Sequence, residues 1–483
     1  MLKMIKLNKT NIILVGIFFV YLISCFFVGT YHEPWSDEAQ AWLLARDNSV
    51  SGLIFNELKY DGHPILWFLI LKVAQHFHWA FDNITYLALF FCSIGVYILL
   101  FKTKIPMFFK ATIPFCYYIF YQYSVIARNH SLVFPILMFL AIIYPQKEKK
   151  IWQYSILLIL LTSVSLHGYV ISFVLFVDFI ISLIKKINLK QSLPLFLTGL
   201  TFLLTALYMH TPADDSFPAH FVELNSLPTE ILSTLSNVFF YVNVTDINSI
   251  ISAIIPSIFT LYFIYKLVNT ICKTRNQKIL VYTLNFSFLA LLILFYNNDW
   301  HFGYQFLIVI FSLVAMCQTN DIEAIEFKTN KIFYICFAII LATHIYWSVK
   351  SSILDRFLIF DPGKNVAQYI KTNNLKTDKK ILGINFQTIS VNPYFEKNIF
   401  SNTPKSYWYW RKDTIDNNIH FAEKPILIID MTGLDFLINT KTLEYIEKNY
   451  MTINFHGVLI SKGNFKEDLS LVLAVPKDVN IKK

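Results

Sequence analysis

Charge is scarce in this sequence. Only 15% of its 483 residues are Asp, Glu, Lys or Arg, and glycine is rarer still, with 13. Apolar residues make up 55%, including 46 Phe, and there are 27 Tyr. A soluble chain of this length has too little interior to hide that much apolar surface. The shortage of charge excludes a cytosolic enzyme and a disordered scaffold, and it makes the bilayer the solvent. The six cysteines, Cys25, Cys92, Cys116, Cys272, Cys317 and Cys336, all fall in apolar stretches without metal-ligand spacing. They read as small buried hydrophobes, so neither disulfides nor zinc is expected. Leu22-Ile23-Ser24-Cys25 matches a lipoprotein cleavage site on its surface, but Phe26-Phe27-Val28 carries the apolar run past it. An uncleaved first membrane helix is the expectation.

Apolar runs long enough to cross a bilayer, about 17–25 residues, fall at 11–29, 84–101, 105–127, 131–146, 151–165, 168–185, 193–209, 248–272, 278–297, 302–318 and 331–349. A further run, 64–81, is interrupted by Lys72, Gln75, His76 and His78 and reads as interfacial or re-entrant. The net charge of +9 comes from short lysine-rich loops, which set orientation; it does not mark a nucleic-acid surface. These clusters are Lys3/Lys6/Lys9, Lys102/Lys104/Lys110, Lys147/Lys149/Lys150, Lys185/Lys186/Lys190 and Lys273/Arg275/Lys278. Placing all of them on the cytoplasmic side puts the loop 30–63, Arg128-Asn129-His130, His167, the loop 210–230, Asn297 to His301 and the tail outside.

From about residue 351 the chain turns polar, with strand-like runs at Lys380–Ile384 and Pro425–Asp430 and helical patterns at Gly363–Lys371 and Thr440–Asn449. The expected fold is a polytopic α-helical membrane protein of about 11–13 transmembrane helices, residues 1–350, with a small α/β extracytoplasmic domain, residues 351–483.

Chemistry concentrates in a few segments. In Tyr31-His32-Glu33-Pro34-Trp35-Ser36-Asp37-Glu38, Ser36 is a good helix N-cap and two acids occupy the first turn. Ionisable groups beside a bilayer in so uncharged a chain point to function. Tyr60-Asp61-Gly62-His63-Pro64 precedes an aromatic apolar run, where Pro64 suits a first helical position. Arg128-Asn129-His130 follows Tyr117-Tyr118-Ile119-Phe120-Tyr121-Gln122-Tyr123. That arginine is either a snorkelling anchor or an anion ligand, and the tyrosines fit interfacial packing better than a sugar platform. His167-Gly168-Tyr169 reads as a structural turn first and a substrate contact second. Asp214-Asp215, flanked by Pro212 and Pro218, reads as a solvated loop. Tyr407-Trp408-Tyr409-Trp410-Arg411 is either an interfacial anchor or a sugar-stacking surface, and Asp430-Met431-Thr432-Gly433 reads as helix capping after a strand.

The order of these motifs resembles that of the GT-C glycosyltransferases. In particular it is similar to the family of protein O-mannosyltransferases and the lipid A aminoarabinose transferase. The likeness covers roughly residues 10–185. It implies that Asp37 is the catalytic carboxylate with Glu38 beside it, that His63-Pro64 corresponds to the family's Lys- or His-Pro element at the donor phosphate, and that Arg128 is the arginine after the tyrosine-rich helix. It also implies a polyprenyl-phosphate-linked sugar donor and inversion at the anomeric carbon. Asn129, His130, His167, Asp299 and His301 join the candidate substrate-binding residues on sidedness.

Arginine and histidine can stabilise a departing phosphate, so no cofactor is expected, and the sequence neither requires nor excludes a divalent metal. The expected partners are the lipid-linked donor, a lipid, glycan or protein acceptor, and membrane lipids. The expected setting is a bacterial inner membrane with the site facing the periplasm. A transporter or flippase for a lipid-linked or sugar substrate is the alternative; the 13 glycines and the absence of an internal repeat argue against it.

Overall fold

The computed structural model describes residues 9–184, 189–210, 212–215, 222–243, 247–295, 298–322, 330–375, 380–402, 407, 408, 411, 421–430 and 440–479. The protein is an integral membrane protein. Among the described residues, eight helices are long and apolar enough to cross a bilayer: Lys9–Gly29, Phe81–Lys102, Asn129–Gln146, Leu166–Leu183, Asn248–Ile271, Arg275–Leu294, Phe302–Asn320 and Lys331–Phe357. Shorter apolar helices lie at Leu66–His76, Ile151–Thr162 and Ser192–Tyr208. The first helix runs unbroken past Cys25, and all six cysteines are buried.

Burial divides the helices. The first helix leaves most of its side chains to lipid, whereas Phe302–Asn320 is enclosed from Phe302 through Cys317 and forms the axis of the bundle. Both are apolar all round, so composition alone does not separate them. The lysine-bearing ends gather at one end of this bundle: Lys104 pairs with Asp321, Lys273 donates to Asn320 O at 3.2 Å, and Gln318 donates to Lys102 O at 2.8 Å.

The run 105–127, expected as one span, is broken. It consists of a helix Met107–Thr112, a 3₁₀ turn Ile113–Phe115 and a π-helical turn Tyr118–Gln122, followed by irregular backbone to Arg128. Pro106 and Pro114 remove two amide donors from any continuous helix. The side chains then stand in for the backbone. Tyr117, Tyr118, Tyr121 and Tyr123 are fully buried, and their hydroxyls donate to Gln122 Oε1 (2.8 Å), Asp299 O (3.1 Å), Asp355 Oδ2 (3.0 Å) and Trp300 O (2.7 Å). Non-helical backbone at this depth is tolerated because it is buried in protein.

The interrupted run 64–81 contains an 11-residue helix, Leu66–His76, about 16 Å long and roughly half a hydrocarbon thickness. Its polar residues have a structural use. Lys72 donates to Ala45 O (2.7 Å) and Asn48 O (2.6 Å), and Gln75 donates to Trp42 O (2.8 Å). They bond to carbonyls in the second half of the first-loop helix Ser36–Asp47 and at its C-cap, Asn48, including that of Ala45 in the last turn, which has no partner within the helix.

The last membrane helix continues to Phe357, beyond the point where the composition turns polar. The tail then folds on a four-stranded sheet in the order β1 (Ile381–Ile384), β2 (Ile426–Asp430), β6 (Leu471–Pro476), β3 (Tyr450–Phe455). The β1–β2 pair is parallel and the others are antiparallel. β2 alternates faces: Ile426 and Ile428 enter one cluster with Val366 and Ile370 of helix Gly363–Thr372, while Leu427 and Ile429 enter another with Ile446. A separate hairpin joins β4 (Val458–Ser461) to β5 (Asn464–Asp468).

The tail sits on the first loop. Ser36 bonds to Gln387, Gln40 donates to Tyr407 O at 3.1 Å, Arg46 donates to Phe395 O at 2.7 Å, and the Phe360 amide donates to Glu33 at 2.9 Å. The aromatic strip is part of this docking: Tyr407 bonds to Asp47, Trp408 donates to Glu57 at 3.0 Å, and Arg411 pairs with Asp214 at 2.9 Å. Tyr60 also donates to Asp214 at 2.9 Å, so that loop acid is engaged at the tail contact. Tyr409, Trp410, Asn297, Pro218 and Met431 to Gly433 lie outside the described residues.

Candidate active site

The first-loop helix begins at Ser36, just past the end of the first span, so its first turn projects Asp37 and Glu38 at the bundle end opposite the lysines. The two acids part at once. Asp37 pairs with Arg128, each partly exposed. Asp37, Gln40, Asp61, His63, Arg128 and Asn129 line one small pocket, with Trp67 and Phe68 as part of its apolar wall. Two residues 91 apart in the chain thus share a cavity.

Glu38, expected beside Asp37 as a catalytic acid, is instead buried away from this pocket. It accepts from the Ala127 amide (2.6 Å), the Trp35 amide (3.1 Å) and His32 Nε2 (3.3 Å). The capping geometry explains this, since a glutamate three residues into a helix reaches back to the amide before it. His32 in turn holds Asp355 of the last membrane helix through Nδ1 at 3.1 Å. Burial opposes the charged imidazole here, but Asp355 and Glu38 outweigh it and lift its pKa to about 10. Glu38 therefore positions Arg128 by fixing the residue before it.

The histidines converge. The His63 and His130 rings lie 6.0 Å apart edge to face, His130 and His301 are likewise 6.0 Å apart, and His167 stacks on His301 at 4.1 Å. Tyr304 organises them: its hydroxyl bonds to His130 Nδ1 at 2.7 Å and Ser165 Oγ at 2.8 Å. Ser165 also caps the helix carrying His167, accepting from the Gly168 amide at 3.0 Å. Gly168 is required by space, because a Cβ there would sit 2.5 Å from Leu161 O. Asn129 borders the pocket and donates to Val164 O at 2.9 Å. Burial, then His167, His130, His63 and Arg128, push the His301 imidazole well below its usual pKa. Arg128 is thus the fixed positive charge, and a neutral ring such as His301 offers one N–H donor.

Asp299 does not join this cluster. It pairs with Lys466 (2.6 Å) and Lys462 (3.6 Å) of the tail. Burial acts to raise its pKa, but the two lysines outweigh this and hold it below the usual carboxylate range. Asp61, passed over in favour of its neighbour His63, lines the Asp37 pocket; burial raises its carboxyl and His63 opposes this. Tyr304, Ser165, His32 and Asp355 support the site without being among the sequence-derived candidates. Tyr304 had a usable signal, because a residue three after His301 in a helix shares its face. Among the described residues, no three His, Cys, Asp or Glu side chains are grouped so as to hold a metal ion.

No family model and no curated protein matches the sequence. Two solved structures are similar in fold: ArnT from Cupriavidus metallidurans bound to undecaprenyl phosphate, with TM-score 0.55 and 9% identity, and the same protein in the apo state, with TM-score 0.54 and 8% identity. Each match covers 99% of this chain and 100% of the other. The chain shares, from the first membrane helix through the tail, the architecture of a lipid A aminoarabinose transferase.

Proposed function

We propose that this protein is a GT-C-type glycosyltransferase that moves a sugar from a polyprenyl-phosphate carrier to a lipid, glycan or protein acceptor at the outer face of the membrane. The observation that carries this reading is the Asp37–Arg128 pair at a pocket that His63 also lines, with His130, His167 and His301 grouped next to it. The fold shared with a protein crystallised with undecaprenyl phosphate supports it.

In this mechanism Asp37 takes the proton of the acceptor hydroxyl or amine as that group attacks the anomeric carbon. The bond from that carbon to the phosphate oxygen breaks, and both electrons leave with the polyprenyl phosphate. Attack from the face opposite the leaving group inverts the centre. Arg128 and the imidazoles donate to the phosphate as its negative charge grows. No step calls for a divalent cation. Asp61 supplies a second carboxyl within the same pocket.

The test uses purified protein and a polyprenyl-phosphate sugar, with release of free polyprenyl phosphate as the readout. Release that depends on Asp37 supports the reading. A protein that carries the intact lipid across a vesicle without breaking the sugar–phosphate bond would overturn it in favour of a flippase.

A further inference from the structure

The tip of the β4–β5 hairpin buries a lysine. Lys462 is fully enclosed, and its ammonium donates to Asn237 O at 2.9 Å and lies 3.6 Å from Asp299. The rings of Phe302, Trp347 and Tyr241 lie 4.6, 5.4 and 5.7 Å from it. The turn is built to deliver it. Lys462 and Gly463 both have positive φ, 48° and 71°, and the Gly463 amide donates to Ser351 of the last membrane helix at 2.8 Å. An apolar residue would suit three aromatic walls at less desolvation cost, so a charge kept here serves to specify an arrangement.

That arrangement is the turn ahead of the central helix. Asp299 is gripped by Lys462 and Lys466, its carbonyl accepts from Tyr118 at 3.1 Å, and the Trp300 carbonyl accepts from Tyr123 at 2.7 Å. The His301 amide closes the turn on Asn298 O at 2.8 Å. The next side chain along is the His301 ring that stacks on His167.

We propose that Lys462 is a positioning residue: by holding Asp299 from the tail, it sets the 298–301 turn and thereby the place of His301 among the histidines. The tail then completes the site as well as covering it. The consequence for phosphate binding rests on the reading of those histidines given above.

The experiment uses the full chain in detergent and follows hydrogen exchange of peptides spanning 298–304, together with binding of undecaprenyl phosphate. Lys462→Met is expected to speed exchange there about tenfold, as local opening does, while the tail strands β1, β2, β3 and β6 exchange as before. Lys462→Arg, which keeps the charge, is expected to return much of the protection. Lipid-phosphate affinity is expected to fall about tenfold, the usual scale for a residue that orients a ligand group. Unchanged exchange at 298–304 in a monodisperse Lys462→Met protein would overturn the proposal. Where that variant does not fold, Asp299→Asn breaks the same contact and is read by the same criterion. Faster exchange with undiminished lipid-phosphate binding would uphold the role of Lys462 and count against the histidines as the phosphate site.

Discussion

The Glu38 carboxylate lies 2.6 Å from the amide of Ala127, while the neighbouring Asp37 pairs with the neighbouring Arg128. Two adjacent acids of the first loop thus grip two adjacent residues after the tyrosine-rich segment. One contact is buried and holds the frame; the other faces the pocket. They are expected to respond differently to mutation. Asp37→Asn should cut transfer by about 10²–10⁴-fold, the range for losing a general base, with normal accumulation in membranes. Glu38→Ala should lower stability by about 3–5 kcal/mol, because a buried charged partner is removed. Assaying transfer and thermal unfolding of both variants checks the division of labour; an inactive but fully stable Glu38→Ala would contradict it.

Arg128 is predicted to act through its fork of donors. Arg128→Lys keeps the charge but loses the bidentate geometry. Loss of one charge-assisted hydrogen bond is worth roughly 1.5–3 kcal/mol, so undecaprenyl phosphate should bind about tenfold more weakly or worse. Titration of the lipid phosphate into purified protein measures this, and parent-like affinity would remove Arg128 from the phosphate site.

His32 makes stability depend on alkaline pH. Its folded pKa of about 10 lies above the ordinary value of 6.5, so the folded state holds the proton more tightly than the unfolded chain. The stabilisation is complete below pH 6.5 and is lost as pH rises through about 10. Thermal stability in detergent should therefore fall between about pH 7 and about pH 10, and His32→Gln should flatten that slope. An identical slope in the variant would show that other groups set it.

Gly303 is predicted to tolerate no side chain. A Cβ there would meet the Tyr123 hydroxyl and, at 2.6 Å, a Tyr118 ring carbon. Gly303→Ala should cost about 1–3 kcal/mol through overpacking. Adding Tyr123→Phe removes one clashing atom and should recover part of the loss. Size-exclusion profiles and melting temperatures of the single and double variants report the outcome.

The parts of the fold governed by composition and period were legible in the sequence. Apolar runs place the eight long helices of the described residues, and the continuous apolar, isoleucine-rich run Pro425–Asp430 and the pattern of Thr440–Asn449 mark elements of the tail. Sidedness and motif order picked out Asp37, His63, Arg128, Asn129, His130, His167 and His301, which the fold gathers at one end of the bundle. What was not legible depends on partners distant in sequence. The reach of Glu38 back to the Trp35 amide is a local cap, but its second contact, with the Ala127 amide 89 residues on, is invisible in the local sequence. Asp299 looks as available as His301 until a tail lysine reaches it. The 105–127 run has the hydropathy of a span, and Pro106, Lys110 and Pro114 are the local signs that it breaks.

The tyrosine posts of that broken run bear on how the protein is made. Tyr118 and Tyr123 donate to carbonyls 181 and 177 residues later. A ribosome has already released the tyrosines into the membrane long before those acceptors are synthesised. Until then the segment lacks its lasting partners, so insertion of the early helices and completion of the pocket are separate events in time. Chains that stop before Asp299 are expected to insert yet leave the Arg128 corner unset, which makes the second half of translation the interval in which this protein is most exposed to quality-control proteolysis.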